Sequence, residues 1–193
     1  MASRTSFIEE MTAAARGVLA IIRGNRRAPE YFDLSQRGLV GSFIALLLVT
    51  GLNAVLPTLL GVRGPAGSVF RSVAMIAILF AFQVGFSAIV LRQIRRLDGL
   101  VPYLVADNWA TFYITIATSL LAIVGVGGDF ALIAIGILVI VVEINIARLI
   151  VTLTPLQIAM FLIAQLVGVS IGLILIGVVF PVTPMELQEL GLQ

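Results

Sequence analysis

Long apolar stretches separated by short polar segments dominate this chain. Each stretch holds about 20 residues, the length with which an α-helix crosses the hydrocarbon core of a bilayer at about 1.5 Å per residue. The pattern predicts an all-α, polytopic membrane protein with a membrane domain over 38–182. Its five predicted transmembrane helices cover about 39–60, 73–91, 109–126, 130–153 and 158–180.

The segment 1–37 has a different pattern, which predicts an amphipathic helix over about 6–23. Ser6 and Glu9 have the spacing of a capping box. The apolar face can lie flat in the membrane interface or pack on the protein's own helices, and the sequence leaves both open. That face follows helical spacing and consists of Phe7, Ile8, Met11, Ala15, Val18, Leu19 and Ile22.

Polar segments between the spans carry signals for helix boundaries. Thr154 followed by Pro155 predicts the start of the last span, with Thr as the N-cap and Pro at the first helical position. Asp33 is the expected N-cap of the first span, and Trp109 is expected to anchor the third span at the membrane interface. Residues 183–193 are expected to form a short external tail.

Composition points to a chain surrounded by lipid. Its residues are 60% hydrophobic and 11% charged, with a mean hydropathy of +1.15, whereas soluble domains have about 25% charged residues. The chain has no Cys and no His. That absence excludes disulfides, thiol nucleophiles, thiolate zinc sites and imidazole bases.

Catalytic motifs are missing as well. The sequence has no Gly-x-Ser-x-Gly elbow, no phosphate-binding loop and no His-Glu metal helix. An intramembrane aspartyl protease needs two aspartates within the membrane, and Asp98, Asp107 and Asp129 are all expected in loops. We therefore expect a non-enzymatic protein without catalytic residues, a metal site or a cofactor.

All twelve basic residues are arginine, and their distribution predicts the orientation. Ten are expected on one side of the membrane and two on the other. The positive-inside rule then makes the N-terminus of an inner-membrane protein cytoplasmic, and five spans put the C-terminus outside. The N-terminal arginines suit anionic lipid headgroups better than nucleic acid. The larger set is Arg4, Arg16, Arg23, Arg26, Arg27, Arg37, Arg92, Arg95, Arg96 and Arg148, and the smaller is Arg63 and Arg71.

A carboxyl group interrupts the fourth predicted span near its middle. Because a charge at that depth costs several kcal/mol, Glu143 should face the helix bundle. It can serve as a proton or cation relay, or as a carboxyl hydrogen-bonded to a neighbouring helix, and the sequence leaves both open. Gln83 and Gln165 lie at similar depths on other spans. Gln83 is the preferred partner.

Two further polar residues follow Glu143 on the same predicted span. Arg148 lies about 140° around the helix axis from Glu143, because each residue turns an α-helix by about 100°. It is therefore expected to extend to the cytoplasmic interface instead of pairing with Glu143. Asn145 lies on the Arg148 side.

The last predicted span carries a motif for close helix approach. Gly168 and Gly172 have Gly-x-x-x-Gly spacing, which lets another helix backbone come near. Packing within the chain and a homodimer face remain alternatives.

The junction Ala147-Arg-Leu-Ile-Val-Thr-Leu-Thr-Pro-Leu-Gln-Ile-Ala159, together with the order of spans, resembles the bacterial branch of the YIP family of Ypt/Rab-interacting membrane proteins. The resemblance covers roughly residues 30–182. It implies a five-span scaffold of a membrane-organising or trafficking type. The Asp-Leu-Tyr-Gly-Pro-type and Gly-Tyr-type motifs of the eukaryotic members are missing, so no Rab-binding residue is carried over.

The sequence therefore predicts a scaffold or a subunit of a membrane assembly, whose partners are the lipid bilayer and either other membrane proteins or a second copy of this chain. The alternative is a small transporter or channel component that uses Glu143.

The predicted orientation can be tested by labelling, because the chain is free of cysteine. A single Cys at position 193 should react with a membrane-impermeant thiol reagent in intact cells, whereas a single Cys at position 96 should react only after lysis. Labelling of position 96 in intact cells would overturn the orientation.

Overall fold

The computed structural model describes residues 6–59 and 68–181 of the protein, and these are folded into helices and turns without a strand. The predicted tail at 183–193 lies outside the described residues. Short 3-10 turns cover Ala28–Tyr31 and Leu97–Gly99, and a π-helical turn, Ile146–Ile150, continues α5. The α-helices of the described part are α1 Phe7–Ile22, α2 Gln36–Leu59, α3 Ser68–Gln93, α4 Leu100–Ile123, α5 Asp129–Asn145 and α6 Pro155–Val179.

Four helices among the described residues are long and apolar enough to cross a membrane. They correspond to four of the five predicted spans, and this fits an integral membrane protein. The third predicted span corresponds to α4, which carries Asp107 and Asn108 and is less apolar. A fifth crossing therefore stays a prediction. The four candidate spans are Gln36–Leu56, Val69–Gln93, Asp129–Ile150 and Pro155–Val179.

Helix α4 corrects three details of the sequence interpretation. It begins at Leu100, well before the predicted 109. Asp107, expected in a loop, lies inside the helix and is 8% exposed, and Trp109, expected at the interface, is 1% exposed. The polar pair Asp107–Asn108 resembles a turn in the sequence, but both side chains meet polar groups of other helices and so tolerate burial. Asp129, also expected in a loop, is the first residue of α5.

Side-chain caps fix the ends of several helices. Ser6 and Glu9 form the predicted capping box of α1, with bonds of 2.8 and 3.3 Å. Thr154 is the N-cap of α6, as predicted. The prediction of Asp33 as the N-cap of α2 is wrong, because the hydroxyl of Ser35 accepts a backbone N–H from the first turn of α2 at 3.2 Å.

Helix α1 packs on the bundle through a face that partly overlaps the predicted one, since Val18 is buried and Met11 packs against the core. Ala14, Gly17 and Ile21 are buried against neighbouring elements, as their helical spacing requires. Ile8 and Leu19 belong to the predicted face but are 66% and 50% exposed. The predicted contact of α1 with the membrane interface is therefore confined to an apolar strip beside the buried face, and it stays a prediction.

Trp109 is the main contact between α4 and α1. Its ring lies 6.0 Å from the ring of Phe7, and its indole lies beside the carboxyl of Glu10. The hydroxyl of Tyr113 donates to the backbone oxygen of Met11 at 2.6 Å. Burial raises the pKa of Glu10, so removing the charge of this carboxyl favours the docked helix.

Arg96 joins the turn before α4 to the turn before α6. Its guanidinium donates to the backbone oxygen of Val151 and to both oxygens of Thr152, the latter at 3.2 and 2.9 Å. Both turns therefore lie at the same end of the bundle. The neighbouring Arg92 is exposed, so a cysteine there reports the orientation without breaking these bonds.

The Gly168 and Gly172 motif lies against α3. A Cβ at Gly168 would lie 2.9 Å from the ring of Phe86, and one at Gly172 would lie 3.2 Å from the side chain of Leu79. Close approach of α3 to α6 therefore depends on the absence of a side chain at these two glycines. This geometry is that of packing within the chain.

Replacing Gly168 by Leu should destabilise the protein by about 1–3 kcal/mol, because the added side chain forces α6 away from α3. Gly177→Leu on the same helix is the matched control, since a Cβ there meets nothing within 4 Å. Thermal unfolding in detergent compares the two variants. Equal melting temperatures, together with loss of a dimer only in Gly168→Leu, would instead assign the motif to a homodimer face.

Candidate functional site

Four helices meet at the hydroxyl of Tyr103 in the bundle interior. Tyr103 lies on α4 and is 0% exposed. Its oxygen accepts hydrogen bonds from the amides of Gln83 on α3, at 3.2 Å, and of Gln165 on α6. The hydroxyl donates to Oε2 of Glu143 on α5 at 3.5 Å. The structure thus places Gln83, the preferred partner of Glu143, one hydroxyl away from it.

Gln165 closes one side of this cluster. Its amide nitrogen donates both to Tyr103 and, at 3.1 Å, to the hydroxyl of Ser87 on α3. Both side chains are buried, with Gln165 6% and Ser87 0% exposed. A Gln amide has two N–H donors, and both are used here. On this side of the cluster, both amide donors of Gln165 therefore have partners, and the side chain links α6 to α3.

Asp107 brings a second carboxyl group to Glu143. It lies one helical turn after Tyr103 on the same face of α4, and the two carboxyl groups are hydrogen-bonding neighbours. Both line a cavity of about 180 Å³ between α4 and α5. Carboxylates only accept hydrogen bonds, so a bond between two carboxyl groups requires a proton on one of them. Two carboxyl groups that lie this close can share one proton between them.

The carboxyl of Asp107 also borders a groove on the other side of α4. This groove lies between α2, α3 and α4, has a volume of about 390 Å³ and is lined by Gln83, Asn108 and Asn53 among other residues. Thr111 and the neighbouring turn of α4 line both cavities. Asp107 thus lines both the cavity between α4 and α5 and the groove between α2, α3 and α4.

Asn53 extends the polar lining toward the far end of the bundle. It lines the groove and also the next cavity, of about 390 Å³, which Thr118 and Ser119 share. The Ser119 hydroxyl donates to the amide oxygen of Asn53 at 3.1 Å. Polar side chains that are scattered in the sequence therefore border neighbouring cavities, of which Asp107 lines the first two.

Asn108 is the other buried polar residue of the groove. It is 0% exposed, and its amide nitrogen donates to the hydroxyl of Ser42 on α2 at 3.1 Å. Its amide oxygen has no hydrogen-bond partner among the described residues. A buried acceptor without a donor costs about 1–3 kcal/mol, so the amide oxygen of Asn108 is an unmet hydrogen-bonding position inside the bundle.

Asn145 and Arg148 lie apart from this cluster. The amide of Asn145 donates to the backbone oxygen of Ile21 at 2.9 Å, and the guanidinium of Arg148 donates to that of Gly24 at 3.4 Å. The last carbonyls of a helix lack partners within it. These two residues therefore hold the C-terminal end of α1.

Sequence analysis missed Tyr103 and Asp107, which are central to the cluster. Both were placed outside the third span because Asp107 and Asn108 interrupt its apolar pattern. A signal was present, since Tyr103, Asp107, Thr111 and Thr115 recur every four residues and form a polar stripe on one helical face.

No family model, curated protein or solved structure matches this chain. The resemblance to the YIP family therefore stays a prediction.

Tyr103→Phe should lower the free energy of unfolding by about 1–3 kcal/mol. The reason is that the amides of Gln83 and Gln165 and the carboxyl of Glu143 lose the hydroxyl that they share. Tyr113→Phe is the matched control, since the Tyr113 hydroxyl makes one side-chain hydrogen bond within the described part of the chain, to the backbone oxygen of Met11. Tyr113→Phe should lower the free energy of unfolding by less, about 1 kcal/mol. Chemical denaturation in detergent measures both, and an equal loss would contradict the central position of the Tyr103 hydroxyl.

Proposed function

We propose that this chain is a small proton transporter of the inner membrane, in which the Asp107–Glu143 pair takes up and releases the proton. The observation that carries this proposal is the position of Asp107, which borders cavities on both sides of α4 while it contacts Glu143. Ionisable groups inside a membrane are expensive and usually mark ion or proton pathways. Polar residues along successive cavities supply the lining that a pathway needs.

The proposal includes α4 as the fifth span. The helix has 24 residues, and at about 1.5 Å per residue it is about 36 Å long, enough for a hydrocarbon core of about 30 Å. Its buried polar residues, Asp107 and Asn108, face side chains of other helices. The arginine distribution supports a cytoplasmic N-terminus and an external C-terminus.

The exposed strip of α1 supports a contact with the membrane surface. Ile8 and Leu19 are exposed, and Arg16 lies on the polar side of the same helix. Such a helix places apolar side chains among the lipid headgroups, while its arginines attract anionic lipid.

The second candidate function is a YIP-like scaffold or a subunit of a membrane assembly. It is favoured by the hydrogen bonds that Gln165, Ser87, Asn108 and Ser42 close within the chain, because such bonds stabilise a bundle without any transport. In this alternative, the Asp107–Glu143 pair is a structural contact between α4 and α5.

Proton flux in reconstituted vesicles separates the two functions. Vesicles with the wild-type protein should dissipate an imposed pH gradient faster than empty vesicles. Glu143→Gln should abolish this excess flux, because the amide keeps the shape of the side chain but carries no exchangeable carboxyl proton.

Glu9→Gln is the matched control, since it makes the same change on α1 and preserves the capping box. It should leave the flux unchanged. Wild-type flux equal to that of empty vesicles would overturn the transporter proposal and favour the scaffold.

A further inference from the structure

The groove beside Asp107 continues toward the Arg96 end of the bundle. A second cavity, of about 320 Å³, shares Phe43, Phe80 and Asn108 with the first. The two cavities therefore form one groove between α2, α3 and α4. The rings of Phe43 and Phe80 lie 5.7 Å apart, and the walls around them are aliphatic.

The polar floor of this groove offers acceptors for a cation. Asp107 and Asn108 both line the groove, and the amide oxygen of Asn108 is buried without a hydrogen-bond partner among the described residues. No arginine is among the residues that line the two cavities in the described part of the chain. An anionic ligand would therefore find no countercharge there, and a neutral alkyl chain would leave the acceptors unmatched.

We infer that the groove binds an amphiphilic ammonium ion, an amine cation with an apolar body. Its N–H groups donate to Asp107 and to the amide oxygen of Asn108, and its apolar body lies between Phe43 and Phe80. Charge-assisted hydrogen bonds to a carboxylate favour such a cation, and the ring faces add a cation–π contribution.

The inference rests on the proposed function, since the ammonium ion occupies the carboxyl group that holds the proton. The titratable groups that face Asp107 are Glu143 on α5 and Tyr103 on α4. The lining residues from α2 and α3 add no charge. A pair that shares one proton keeps one negative charge, which either a second proton or a bound ammonium ion neutralises, so these two compete.

Calorimetric titration of the full-length protein in a neutral detergent tests this inference. Hexylammonium should bind above the background of empty micelles, whereas hexanoate and hexanol should not. Hexyltrimethylammonium carries the same charge without an N–H donor, so it should bind more weakly than hexylammonium. This ligand series uses the wild-type chain and does not depend on the folding of any variant.

Two variants locate the binding site. Asp107→Asn should weaken hexylammonium binding by roughly ten- to a hundredfold, because it removes the charge that the ammonium ion contacts. Ala77→Phe on α3 should also weaken binding, since Ala77 lines the groove. Ala81→Phe, one turn later and exposed outside the groove, is the matched control and should leave affinity unchanged.

Equal binding of hexylammonium and hexanol, unaffected by Asp107→Asn, would overturn the inference and assign the groove to alkyl chains such as those of lipid. Glu143-dependent proton flux without ammonium binding would overturn the inference but leave the proposed function intact. Ammonium binding without proton flux would support the groove assignment and count against the proposed function.

Discussion

The polar interior of this protein depends on one hydroxyl group. Hydrocarbon supplies no hydrogen-bond partners, so every polar side chain between the helices must be satisfied by another side chain or by a ligand. The Tyr103 hydroxyl meets this requirement for three helices at once, since it accepts from Gln83 and Gln165 and donates to Glu143. The positions of α3, α5 and α6 around α4 are therefore coupled through a single atom.

The same constraint separates the two sides of Asp107. On the side of Gln165 and Ser87, the amide donors have partners within the chain, and these bonds stabilise the packing of the helices. Toward the groove, the amide oxygen of Asn108 has no partner in the described part of the chain. The buried polar groups are thus satisfied on one side of Asp107, whereas one buried acceptor lacks a donor on the other side.

Much of the fold could be predicted from the sequence because apolar length and helix caps are local properties. Four apolar helices, the Ser6 capping box and the start of α6 follow from such local patterns. Glu143 could be singled out because a lone carboxyl group in an apolar run is conspicuous. Asp107 could not, because beside Asn108 it resembles a turn, and only its contact with another helix explains its burial. Part of the buried face of α1 was missed because small residues such as Ala14 and Gly17 pack closely but give a weak apolar signal.

Trp109 has a further consequence as the only tryptophan of the chain. Its indole lies between α1 and α4, in contact with Phe7 and Glu10, two residues away from the carboxyl pair. The protein thus contains a native fluorophore at the joint between its peripheral helix and its bundle. Its emission reports detachment of α1, which would bring water to the indole, and it requires no added label.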